Sequence, residues 1–182
     1  MSDWIETYTG KKFYPLDPRP EDVDIQDIAH SLSMQCRFNG HTRVFYSVAE
    51  HSLIVSEELA LQGYDKLLQL YGLLHDAAEA YICDLPRPIK NRIRTYNRTE
   101  RLIMSVIWTA FNLPAPLKTQ QLAITCVDDQ LLGYEGRKLT GNTDNWIRKF
   151  GNFTPKSTKA LGVSPGTAKE RFLSRFNELT GW

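Results

Sequence analysis

From Asp24 onward, apolar residues return every three or four positions as Ile25, Ile28, Ala29, Leu32 and Cys36, the period of one face of a helix. With Asp24 as N-cap, the spacing predicts a first helix over 24–36, broken by "RFNGHTRVFY". "SVAEHSLIVSEELA" opens a second, because Ser47 and Glu50 have the Ser-x-x-Glu spacing of a capping box; this sets His51 in its first turns. Leu67, Leu70, Tyr71, Leu74, Ala78 and Tyr81 share one face of a third helix over 66–82, which runs out into "DLPRP". Leu102, Ile103, Val106, Ile107 and Ala110 mark a fourth that stops near "LPAP", and a fifth spans 119–139. Residues 141–162 turn polar and Gly-rich apart from Trp146, Ile147, Phe150 and Phe153. A last helix starts with Ser164 as N-cap and Pro165 at its first position, burying Phe172, Leu173, Phe176 and Leu179. Ahead of these, residues 1–20 mix aromatics with Gly10 and prolines, the pattern of a short extended hairpin or an ordered arm. The expected fold is all-α, a compact helical bundle with an extended N-terminal arm, in one domain over 1–182.

Composition narrows the partners more than the fold. A chain of 182 residues, 42% hydrophobic and 24% charged, suits one domain with a sizeable core. Its 22 basic and 21 acidic residues set up no global field, so stable nucleic-acid or membrane binding is not expected and an anionic partner must be met by a local patch. Cys36, Cys83 and Cys126 lie far apart without a Cys-x-x-Cys pair, which points to reduced thiols in or near the core. The N-terminus lacks a charged start followed by an apolar run, and no apolar segment nears the roughly 18 residues of a membrane span. A cytoplasmic protein is expected.

"LLHDAAEAYICDLP" changes the picture, because it sets a His, two Asp and a Glu in what reads as a buried helix and its exit. Burying His75, Asp76 and Glu79 beside Leu73 and Leu74 with neither metal nor partner would be costly. His75 and Asp76 diverge by about 100 degrees on a helix, so they approach one ion from the flank of an apolar stripe and need further ligands. His51 can come from the neighbouring helix, and Asp128 is an inward carboxylate, flanked by Ile124, Leu131 and Leu132; Asp129, three residues from Leu132, is its rival. Two imidazoles and two carboxylates suit Mn, Fe, Co, Ni or Zn better than Ca. Elsewhere, His30 reads as surface and His41 as a loop residue without assigned role. Trp146, Phe150 and Phe153 read as core or subunit contact rather than a base platform, and the basic run from Arg87 to Arg101 as a solvated face whose first members sit beside the site.

The order His51, His75-Asp76, Asp128 resembles the HD-domain phosphohydrolases, an all-helical superfamily of metal-dependent phosphoesterases. "SVAEHS", "HDAAEAYICDLPRPIK" and "VDDQLLGYEGRKL" resemble blocks of its deoxynucleotide-cleaving branch, which includes bacterial 5′-deoxynucleotidases and phage dATP triphosphohydrolases; the matched blocks span residues 8–139. The resemblance implies His51, His75, Asp76 and Asp128 as metal ligands, with Asp128 chosen over Asp129 because Glu135 and Arg137 then fall where relatives carry them. It implies Glu79 as the residue that orients or deprotonates the attacking water and Asp84 as an aid to that water or to the leaving oxygen. Arg37 and Lys90 would hold phosphate, with additional Mg on the phosphates, while Phe38 and Pro88 would sandwich the base; Phe38 stands where better-known relatives carry tryptophan. A homo-oligomer, dimer or larger, in a bacterial or phage-infected cytosol is implied too. The expected activity is hydrolysis of a deoxynucleotide at the phosphorus nearest the sugar, dATP to deoxyadenosine and triphosphate foremost and 5′-deoxynucleotidase action on dNMPs as the alternative. Hydrolysis of a signalling nucleotide and non-catalytic nucleotide binding are the remaining readings.

Overall fold

The structure, a computed structural model, describes residues 3–157 and 161–182; residues 158–160 of the Gly-rich stretch and the first two of the arm lie outside it. The arm is a two-stranded antiparallel hairpin, β1 (Ile5–Glu6) and β2 (Lys12–Phe13), followed by a short 3-10 turn at Pro20–Asp22. Phe13 plugs the hairpin into the core, stacked on Tyr81 at 3.7 Å between ring centroids. Everything beyond is helical: α1 (Ile25–Met34), α2 (Val48–Leu61), α3 (Lys66–Leu74), α4 (Glu79–Ile82), α5 (Arg87–Lys90), α6 (Arg94–Ala110), α7 (Lys118–Leu139), α8 (Thr143–Phe150) and α9 (Pro165–Thr180). This is an all-α bundle. Among the described residues no helix is long and apolar enough to cross a membrane.

Three predicted caps are in place: Asp24 accepts from Gln26 N, Ser47 from Glu50 N and Ser164 from Thr167 N. The capping box at α2 is only half made, because the Glu50 carboxylate turns away and takes the backbone N–H groups of Gly162 at 2.9 Å and Val163 at 3.1 Å. α2 is buried nearly all round and forms the centre of the bundle, packed by α1, α3, α7 and α9.

Four expectations are corrected. α1 stops at Met34 rather than at residue 36, since Cys36 leaves the helix to pair with Ser47 in an antiparallel bridge. The third helix is two pieces. His75 Nδ1 lies 2.8 Å from the carbonyl of Gly72, which an α-helix would give to the N–H of Asp76, and the next turn tightens, with Ala77 N bonding to Leu74 O and Glu79 N to Asp76 O. Residues 143–150, within the polar, Gly-rich stretch for which the sequence pattern predicts no helix, form α8. All three cysteines are exposed rather than core residues: Cys36 at the bridge, Cys83 in the loop after α4 and Cys126 on the outer face of α7.

Candidate metal centre

α2, the turn after α3 and α7 deliver the predicted ligands to one place. Donor atoms of His51, His75 and Asp76 all lie within 4.8 Å of one another, and the imidazole centroids are 5.3 Å apart. Asp128 stands at the edge of this group, its Oδ1 3.1 Å from His51 Nε2 and its Oδ2 accepting from Arg87 Nη2 at 2.6 Å. Arg87 also pairs with Asp129, so the rival carboxylate is held on the outer side of the same guanidinium.

Each imidazole is fixed through Nδ1. The Gly72 carbonyl can only accept, so His75 Nδ1 carries the hydrogen of that bond. Glu135 Oε1 lies 2.6 Å from His51 Nδ1 and also accepts from Tyr46 Oη at 2.7 Å. With Nδ1 donating, Nε2 of a neutral ring presents a lone pair, and both Nε2 atoms are buried without a hydrogen-bond partner. Each nevertheless has a carboxylate oxygen 3.1 Å away, Asp128 for His51 and Asp76 for His75. Lone pair facing lone pair at that distance is repulsive unless a cation lies between them. Nδ1 held by an oxygen and Nε2 left bare is the arrangement that orients a histidine toward a metal.

Without an ion, protons fill that role. Burial disfavours the His75 imidazolium, but Asp76 beside it and Asp128 outweigh burial and raise its pKa to about 9. For His51, burial and Arg37 oppose the charge, Glu135 and Asp128 favour it, and the pKa is raised. Burial would raise Asp76 and Asp128, yet His75 and His51 respectively hold each far below the usual carboxylate range. Nitrogen and oxygen donors of this kind fit a divalent transition ion.

The group opens on a cavity of about 990 Å³. Every other predicted site residue lines it: Glu79 and Asp84, Arg37 and Phe38, Pro88 and Lys90. Glu79 Oε1 accepts from Lys90 Nζ at 3.0 Å, while Oε2 is buried with no partner. Burial, then Asp76 and Asp84, push the Glu79 carboxyl well above the ordinary value. Asp84 is also raised, by burial foremost, with Arg37 pulling the other way. Arg37 is buried, Nη1 3.7 Å from Asp76 and Nε 3.3 Å from Glu135; burial opposes its charge, but Glu135, Asp128 and Asp76 outweigh that and keep it protonated. Lys90, expected to grip phosphate, has its charge matched by Glu79 and by Glu100, 2.5 Å away.

Several residues of the site carry no role in the sequence reading. Glu135 is fully buried and orients His51; its place two turns after Asp128 on α7 is the signal that it shares that face. Gln35 pins both ends of α4, donating to the carbonyl of Glu79 at 2.9 Å and accepting from Asp84 N at 3.0 Å, and nothing in its spacing announces this. Between those ends Cys83 has φ 65° and ψ 158°, a strained backbone for any residue but glycine. Trp146 and Phe150, expected in core or subunit contacts, line the cavity, whereas Phe153 packs against the core. His41 lines it too, and His30, half-buried rather than exposed, stacks under Tyr8 at 3.8 Å.

Fold and site together define an all-α bundle with a partly buried His/Asp group able to hold a metal ion. No family model matches the chain. It is 34% identical to the uncharacterized protein YfdR of Escherichia coli, over 97% of this chain and 96% of that one. To the uncharacterized protein RCAP_rcc00048 of Rhodobacter capsulatus it is 32% identical, over 97% and 95%. The chain belongs to the family of these two proteins.

Proposed function

We propose that the protein is a metal-dependent phosphohydrolase of the HD-domain kind that cleaves deoxynucleotides at the phosphorus nearest the sugar. The observation that carries this reading is the pair of bare, buried imidazole Nε2 atoms, each facing a carboxylate, at the edge of a nucleotide-sized cavity that also holds the unpartnered Oε2 of Glu79. A divalent ion bound there supplies Lewis-acid polarisation of a phosphoryl oxygen and acidification of water.

The chain's own residues do the rest. Glu79 takes a proton from the attacking water at its unpartnered Oε2. A bond forms from water oxygen to phosphorus as the bond from phosphorus to the sugar oxygen breaks. Asp84, raised by burial, gives the leaving oxygen its proton. Arg37 and Arg87 oppose charge building on the phosphate oxygens. Members of such a site would act as homo-oligomers in the cytoplasm, with Mn, Fe, Co, Ni or Zn as the ion.

The leading substrate is a dNTP, dATP foremost, giving deoxynucleoside and triphosphate. One observation favours the dNMP reading: Arg37, Arg87 and Lys90 are already paired with carboxylates, which leaves little positive charge for a triphosphate. Metal-loaded protein incubated separately with dATP and dAMP, with products separated by chromatography, tests both. Deoxyadenosine with inorganic triphosphate supports the first reading, and deoxyadenosine with phosphate from dAMP alone supports the second. No release from either, by protein of verified metal content, overturns the proposal.

A further inference from the structure

α8 forms the cavity wall farthest along α7 from the metal centre, and it is seated in an unusual way. Gly133 and Gly136 on α7 let it approach closely: a Cβ at Gly133 would collide with Phe150 and one at Gly136 with the indole carbons of Trp146. One face of the indole therefore rests on the α7 backbone. Its Nε1 donates to Thr140 Oγ1 at 2.8 Å, which fixes the ring's rotation. Phe150 lies nearly parallel to it, 5.6 Å between centroids at 21°, and Phe38 meets it edge-on at 5.7 Å and 84°. Trp146, Phe150 and Phe38 all contribute surface to the cavity.

We propose that Trp146, backed by Phe150 and fixed by Thr140, is the stacking platform for a planar heteroaromatic ring, the base of the nucleotide whose phosphate lies at His51, His75 and Asp76. This rests on the deoxynucleotide reading for the identity of the ring. A half-buried aromatic with one face packed, its polar atom satisfied and its ring locked is preorganised to stack, because little side-chain freedom remains to be lost on binding. The spacing suits the ligand: Asp128 and Gly136 are about 12 Å apart along α7 by its rise per residue, the reach of a nucleoside 5′-phosphate from phosphorus to the outer edge of its base. Lys149, over the Phe150 ring at 5.1 Å, adds a cation to the same wall. Phe38, the position implied by resemblance for stacking, then serves as an edge-on guide beside the platform.

The test separates base from phosphate and binding from turnover. Deoxyadenosine, which has no phosphate, is titrated against intrinsic tryptophan fluorescence in wild type and Trp146→Phe; the expected result is a quench in wild type that disappears in the variant. Steady-state kinetics then compare dAMP with 2-deoxyribose 5-phosphate, which has no base. Trp146→Ala is expected to raise KM for dAMP about tenfold, the lower end of what loss of one base stack produces, with KM for the baseless substrate moved far less. An unchanged KM for dAMP in Trp146→Ala overturns the inference, and so does an equal loss on both substrates, which would make Trp146 a structural residue. A Trp146-dependent quench without hydrolysis of any nucleotide keeps the platform and ends the hydrolase reading.

Discussion

Glu50 and Glu58 on α2 are buried as deeply as Glu79 and Glu135 beside the metal centre, yet the two pairs are satisfied in opposite ways. Glu50 uses one oxygen for Gly162 N and the other for Val163 N; Glu58 gives one to Lys156 N and Ser157 N and the other to Gln62 Nε2. Both fasten main chain and leave no oxygen idle. Glu79 and Glu135 are met by side chains instead, Lys90 for the one and Tyr46, His51 and Arg37 for the other, and Glu79 keeps a buried Oε2 without a partner. A completed set of bonds lowers the free energy of the fold, whereas an oxygen left bare in a dry site is available for a proton or a ligand. The difference separates carboxylates that build the fold by fastening main chain from carboxylates that face the side chains of the candidate site.

The largest effect falls on turnover. Glu79→Gln keeps the shape and an acceptor for Lys90 but cannot take a proton, so kcat is expected to drop by roughly 10² to 10⁴ with Tm almost unmoved. A variant that loses stability and keeps its kcat would place Glu79 with the builders. Glu50→Ala should do the reverse. It leaves two backbone N–H groups unpartnered, which costs on the order of 3 kcal/mol and lowers Tm by roughly 10 °C for a chain of this size, with specific activity per folded molecule retained.

A third, smaller effect tests what fills the gap between imidazole and carboxylate. The pKa of His75 is raised to about 9 from an unfolded value near 6.5. A raised histidine contributes stability that is complete below the unfolded value and lost as pH climbs through the folded one. Chelated protein should therefore lose up to about 3 kcal/mol between about pH 6.5 and 9, seen as a falling urea midpoint, while metal-loaded protein shows no such loss because the ion stands in for the protons. A flat profile in chelated protein would mean that His75 carries no proton there, and the ion-for-proton account would go.

The helices with strong caps were legible from local chemistry alone: Asp24, Ser47 and Ser164 each bond the backbone as their position implies. The candidate ligands were legible because two imidazoles and a carboxylate amid apolar residues have few other uses. What local spacing does not carry is competition for a backbone group. His75 takes the carbonyl of Gly72, and the helix breaks at a point where apolar periodicity continues through Ala78 and Tyr81. α8 had readable marks in Asn142 as N-cap, Trp146, Ile147 and Phe150 on one side and Gly151 at its end, but they are dispersed among polar residues, and its role depends on Gly133 and Gly136, distant until α7 and α8 pack. The cysteines misled because a small apolar side chain is equally at home outside a bundle when it lies at a bridge, in a loop or on an outer helix face.

The way Glu50 and Glu58 hold the stretch before α9 also bears on how this chain can drift over generations. They grip peptide N–H groups, which every residue but proline owns, so the side chains at 156, 157, 162 and 163 take no part in those bonds. Positions 156, 157 and 163 can change identity with the fastening intact, provided none becomes proline; Gly162 cannot, because its φ of 94° is left-handed and a Cβ there would meet Val44 at 2.6 Å. Positions 50 and 58 have no such latitude, so the memory of where this segment attaches is kept on α2 and at one glycine rather than along the segment.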